Sequence, residues 1–139
     1  MSRAAGAELP PALRRELIGR ARAEAPLECC GLLLGVRNQV RHIVPMTNVA
    51  AGDRRVRFRI DDESHIALAK VIRAFRPALE VIGVYHSHPA GAAIPSASDL
   101  DEAYYADWIY VVIGLTPRAA VNAFAIRRGR ARQLVLRAP

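Results

Sequence analysis

Three uninterrupted apolar runs constrain the fold of this chain more than any other feature: "CCGLLLGV" from Cys29, "LEVIGVYH" from Leu79 and "WIYVVIGL" from Trp108. Each has the length of a strand and lacks the polar alternation of a sheet face open to water. Each therefore reads as a strand covered on both sides. Such strands need helices to cover them, and the sequence offers candidates. From Pro10 to Ala23, Leu13, Leu17, Ile18 and Ala21 recur at helical spacing. After Asp61 or Asp62, either of which can cap a helix, Ile66, Leu68, Ala69, Ile72 and Phe75 mark a second buried face. "SASDLDEAYYAD" supplies a short third helix.

The remaining segments read as more exposed strands. "VRHIVPM" alternates after an "RNQ" turn, and Pro45 suits an edge or a strand end. "RVRFRI" alternates strictly, with Val56, Phe58 and Ile60 on one face and arginines on the other, as in a half-exposed strand. The C-terminal "AVNAFAIRRGRARQLVL" reads as a hairpin turning at Arg128-Gly129. The order α-β-β-β-α-β-α-β-β-β predicts an α/β fold, a mixed β-sheet flanked by helices. With 139 residues and no linker or repeat, it is expected to be a single domain over residues 1–139.

Composition limits the setting. Hydrophobic residues make up 52% of the chain, yet no apolar run approaches the ~20 residues that span a bilayer. No long apolar segment follows the charged N-terminus "MSRAAGAELPPALRREL", so no secretory signal is expected. Cys29 and Cys30 are adjacent, which disfavours a disulfide between them and fits reduced thiols in the cytoplasm. Net charge is +7, and Lys70 is the only lysine. The arginines are dispersed in early, central and late groups rather than forming a basic block. That pattern suits a solvated surface or an acidic protein partner better than nucleic acid.

The chemistry concentrates in "HSHPAGAAIPSASD". Alternate residues of a strand share a face, so His86 and His88 can aim both imidazoles at one point while Ser87 faces away. Two imidazoles supply half of a tetrahedral zinc shell. Asp99 follows across a loop with Pro89, Gly91 and Pro95, and can return to complete a His2Asp site with one position open. Ser96-x-x-Asp99 is equally a helix-start signal, and so is Ser98-x-x-Asp101. Spacing alone does not choose between these readings. Other constellations are poorer. His42 and His65 fit structural positions on a strand and a helix. The cysteines fit a core strand rather than a nucleophile, and no PCxxC follows the histidines as zinc deaminases require.

Glu28 in "PLECCGLLLG", then "HSHP", six residues, Ser96, two residues and Asp99 together resemble the JAMM (MPN-plus) zinc metallopeptidase family. The early block resembles the P-x-E-x-C-G-x-L-x-G run of its small stand-alone prokaryotic members. The resemblance implies the cytidine-deaminase-like JAMM/MPN fold. It also implies one Zn2+ per chain on His86, His88 and Asp99, Glu28 as general base, and Ser96 as a donor to the oxyanion. The implied activity is hydrolysis of the peptide or isopeptide bond after the C-terminal Gly-Gly of a ubiquitin-like or sulfur-carrier protein. A non-catalytic MPN-type interaction module is the alternative, known in relatives that have lost ligands, whereas all are present here. Exposed strand edges leave a homodimer open, and no membrane partner is expected.

Overall fold

The structure, a computed structural model, describes residues 6–139; the first five residues of the segment read for a leader lie outside them. The element order is β1 (Gly6–Glu8), α1 (Pro11–Glu24), β2 (Cys30–Val36), β3 (Gln39–Met46), α2 (Asp62–Phe75), β4 (Glu80–His88), α3 (Ala97–Asp101), β5 (Ile109–Gly114), β6 (Ala120–Arg127) and β7 (Arg130–Arg137). The three apolar runs lie side by side at the centre. β4 pairs antiparallel with β2 and parallel with β5. The parallel pair is what makes the sheet mixed. The strands close into a barrel in the order β1-β3-β2-β4-β5-β6-β7. Among the described residues, no helix is long and apolar enough to cross a membrane.

Side-chain alternation divides the core in two. Leu33, Tyr85, Val111, Ile113 and Ala123 pack with Leu17, Ile18 and Ala21 of α1. Leu32, Val84, Val112 and Phe124 form a second cluster with Leu68 of α2, Phe58, Ile60 and Trp108. A fully buried Leu or Ile of this kind contributes roughly 1.5–3 kcal/mol, so the central strands carry much of the fold's stability. The β6–β7 hairpin turns on two left-handed residues, Arg128 at φ 52° and Gly129 at φ 71°. Glycine takes the second without steric cost.

Three expectations need correction, and one strand was not expected. "RVRFRI" is not a strand: it runs as turns and extended coil, with one isolated bridge between Ile60 and Asn48. Phe58 and Ile60 do pack inward, which explains the alternation, but Val56 is 62% exposed. α2 forms where expected, capped by Asp61, whose carboxylate accepts from the Ser64 amide at 3.1 Å. Its apolar face is only partly covered, with Ile66 and Phe75 exposed. The third helix is only Ala97–Asp101. β1 had no counterpart in the sequence reading; it pairs parallel with β7 and touches β3 at Glu8–Gln39.

Candidate metal centre

The central strands place the expected site residues by register. Cys30 of β2 stands opposite His86 of β4. Cys29 and Ser87 then meet, with the Ser87 amide donating to the Cys29 carbonyl at 3.0 Å and the Cys29 amide donating to Ser87 Oγ at 2.8 Å. One step further, the same alternation brings Glu28 towards His88. Two-residue periodicity puts Glu28, His86 and His88 on one face and turns Cys29 and Ser87 to the other. Both cysteines are free and buried, and burial pushes the Cys30 thiol up to about 12, as befits core residues rather than nucleophiles.

The loop after β4 is held down at several points. The Leu115 amide donates to the His88 carbonyl, the Thr116 amide to the Gly91 carbonyl, and Asn122 Nδ2 to the Ala93 carbonyl at 3.0 Å. Gly114 lies beside His88 in the parallel pair, and a Cβ there would collide with the backbone of Ala92 and Ala93. The missing side chain lets the Ala92 carbonyl reach His88 Nδ1 at 3.0 Å. A carbonyl only accepts, so Nδ1 carries the ring proton, and the neutral ring presents a bare lone pair at Nε2. That is how a metal-binding histidine is oriented from behind.

The loop delivers α3 with its start facing β4. Ser96 is the N-cap: its Oγ accepts from the Asp99 amide at 3.1 Å, while its own amide donates to Asp99 Oδ2 at 2.8 Å. This capping box settles the choice between Ser96 and Ser98. It coexists with the metal-ligand geometry, because the same Asp99 Oδ2 lies 3.0 Å from His86 Nε2 and 3.1 Å from His88 Nε2. The two Nε2 atoms are 3.1 Å apart. A tetrahedral ion with bonds of about 2.0 Å spaces its donors about 3.3 Å apart, so the triangle fits such an ion closely. His86, His88 and Asp99 can therefore hold a metal ion.

The electrostatics of the site residues differ from one to the next. Burial lowers the basicity of His86 against the pull of Asp99, keeping its ring neutral. For His88 burial acts the same way, but the bond to Asp99 and the Ala92 carbonyl outweigh it and raise its affinity for a proton. Burial opposes ionisation of Asp99, yet the two histidines and the Ser96 amide hold its carboxyl well below the usual carboxylate range. Glu28 behaves in the opposite way. It is 4% exposed, Oε1 has no hydrogen-bond partner, and burial pushes the carboxyl up to about 8, with His88 opposing and Asp99 adding to the rise. A buried carboxyl beside a triangle that can hold a metal ion is placed to exchange a proton there.

Two residues that the sequence reading left out of the site border it. Phe58 stacks on the His86 ring, centroids 4.3 Å apart and planes 16° apart. Asn48 donates to the Glu28 carbonyl at 3.1 Å. Nothing in the local pattern marks either one, since both act through a segment distant in sequence. A cavity of about 300 Å³ beside Glu28 is lined by Leu27, Met46, Asn48 and Arg54. The larger cavity, about 740 Å³, lies beside Ile109 and the β6–β7 turn, at the opposite end of β5 from Gly114. Of the other histidines, His42 is exposed on β3, and His65 packs against Tyr105 and Trp108.

Residues 10–128 match the family described as prokaryotic homologs of the JAB domain. A desampylase from Haloferax volcanii is 32% identical over 94 residues, 66% of each chain. A probable TtuB-protein conjugate cleaving protease from Thermus thermophilus is 33% identical over 129 residues, 92% of this chain and 81% of the relative. A CysO-cysteine peptidase from Mycobacterium tuberculosis is 37% identical over 101 residues, 70% of this chain and 65% of the relative. This chain thus spans slightly less than two thirds of the first and third relatives. A solution structure of a protein from Desulfitobacterium hafniense superposes with a TM-score of 0.81 at 26% identity, covering 95% of this chain and 92% of that one.

Proposed function

Because the chain belongs to the family of prokaryotic JAB-domain homologs, we propose that it is a zinc-dependent peptidase or isopeptidase acting after the C-terminal Gly-Gly of a ubiquitin-like or sulfur-carrier protein. The observation that carries this reading is the conjunction of a closed His86–His88–Asp99 donor triangle with the buried, unpartnered Glu28. The names of the relatives point to protein conjugates as their substrates and support the same class here.

In this reading His86, His88 and Asp99 hold one Zn2+ per chain. The ion, when bound, supplies Lewis acidity and a water whose pKa falls from 15.7 to about 7. Glu28 takes a proton from the attacking water and returns it to the leaving amine, the positive charge of a bound ion favouring the ionised carboxylate that burial alone disfavours. Ser96 Oγ accepts from the Asp99 amide and lies 3.2 Å from Ser98 Oγ; with the Ser98 hydroxyl donating in that contact, the Ser96 proton points to the oxyanion. One such donor is worth roughly 3 kcal/mol of barrier. A Gly-Gly tail is thin enough to lie extended beside the site by β-addition, and among the described residues β3 is paired with β1 only at Gln39, leaving an edge that ends at Met46. Arg54 lines the cavity beside Glu28, and the exposed Arg55, Arg57 and Arg59 follow it in the chain, a charge that favours an acidic partner.

The test is to incubate the zinc-loaded protein with ubiquitin-like fusions whose Gly-Gly is joined to lysine, cysteine or a peptide. Release after Gly-Gly, abolished by a chelator and restored by zinc, is expected. No cleavage of any fusion, with the protein still binding the ubiquitin-like body, would point instead to a non-catalytic interaction module.

A further inference from the structure

We propose that Asn48 is a positioning residue that fastens the irregular segment 54–59 across the site and holds the Glu28 peptide and the His86 ring in place. The proposal rests on the functional reading above. The segment lacks strand pairing, so its backbone groups need partners from elsewhere. Asn48 is buried and uses its full hydrogen-bonding capacity. Nδ2 donates to the Arg57 carbonyl at 2.9 Å and to the Glu28 carbonyl at 3.1 Å. Oδ1 accepts from the amides of Ala50 at 3.0 Å and Arg59 at 3.2 Å. One side chain therefore grips the segment on both sides of Phe58, whose ring lies flat on His86.

The same clamp reaches the proton acceptor. The Glu28 amide donates to the Arg54 carbonyl at 2.8 Å, and its carbonyl accepts from Asn48. Both backbone polar groups of Glu28 are thus held by the segment or by the residue that fastens it. In the Glu28 side chain, Oε1 has no hydrogen-bond partner among the described residues. Its placement depends on the peptide from which it projects. Phe58 in turn covers one face of the His86 ring, fixing its rotation and keeping water off that face. The four hydrogen bonds of Asn48 go to backbone groups and not to a proposed metal ligand or the Glu28 carboxyl; it acts through both segments.

Asn48→Ala removes all four bonds, and Asn48→Asp keeps both acceptors while losing both donors with almost no change in shape. In zinc-loaded Asn48→Ala, the amides of Glu28 and Arg59 should exchange hydrogen at least tenfold faster than in wild type, with those of Val111 and Ile113 in β5 unchanged. Zinc affinity, measured by competition with a chromogenic chelator, should fall about tenfold as Phe58 leaves His86. On a Gly-Gly fusion, both variants should lose at least tenfold in kcat with KM within threefold of wild type. A destabilised but correctly arranged site would keep its kcat in the folded fraction. If the wild type cleaves no fusion, the functional reading fails, while exchange and zinc affinity still judge Asn48. Unchanged exchange at Glu28 and Arg59, or full kcat and zinc affinity in Asn48→Asp, would overturn the proposal.

Discussion

Replacing Glu28 by Gln turns the burial of its carboxyl into a measurable pH dependence of stability. In metal-free protein the carboxyl is pushed up from 4.5 to about 8, first by burial. A raised acid is held protonated by the fold. Below pH 4.5 both folded and unfolded chains carry the proton, and this carboxyl imposes no pH dependence. Between 4.5 and about 8 the unfolded chain ionises and the folded one resists, so stability falls as pH rises, and the loss levels off above about 8. An interval of about 3.5 pH units at about 1.4 kcal/mol each bounds the loss at about 5 kcal/mol, and water reaching the site through the neighbouring cavity reduces this to about 2–4 kcal/mol. Glutamine keeps the shape and cannot ionise. The histidines and Asp99 remain in both proteins, so their titration largely cancels in the comparison. Thermal unfolding in chelator from pH 4.5 to 9 should show Glu28→Gln and wild type melting together at the acid end. At the alkaline end the variant should be more stable by roughly 10 °C, taking about 3–5 °C per kcal/mol for a domain of this size. Parallel curves across the range would refute the argument that Glu28 is buried without a partner.

Other perturbations test separate parts of the site. Ser96→Ala should lose about 1 kcal/mol of stability with the helix cap and about 10²–10³ in kcat with the oxyanion donor, read by melting and by steady-state hydrolysis. Gly114→Ala should push the 91–93 loop away, release the Ala92 carbonyl from His88 Nδ1 and weaken zinc binding about 10–100-fold by competition titration. Raising salt from about 20 to 150 mM should lower kcat/KM severalfold for an acidic ubiquitin-like substrate if the arginines of segment 54–59 guide docking; an unchanged value would remove that role.

The central sheet was legible because continuous apolar runs have few alternatives, and the buried β2, β4 and β5 follow them within a residue or so. β1 was not, since three residues, Gly6–Glu8, carry no period. "RVRFRI" misled because alternation reports which side chains are inward, not whether the backbone has a neighbouring strand. Phe58 and Ile60 are inward, but the polar groups around them are satisfied by the Asn48 side chain and the Val49 backbone. In the site, the shared face of His86 and His88 was readable from strand period, while the position of Glu28 beside them depends on β2–β4 pairing across more than fifty residues. Ser96 and Asp99 offered two competing readings; the structure shows the helix cap, and its geometry leaves the same Asp99 oxygen able to hold a metal ion. Asn48 was invisible for a physical reason: its four partners lie at sequence separations of 2, 9, 11 and 20.

The central claim is that Glu28 makes a metal-binding triangle into a hydrolase. Zinc content and turnover of a Gly-Gly fusion, measured side by side for wild type, Glu28→Ala and His88→Ala, test it most directly. The account predicts about one zinc per chain in wild type and Glu28→Ala, with turnover lost by at least a hundredfold in the latter, and loss of both zinc and turnover in His88→Ala. Turnover retained in zinc-loaded Glu28→Ala would contradict it.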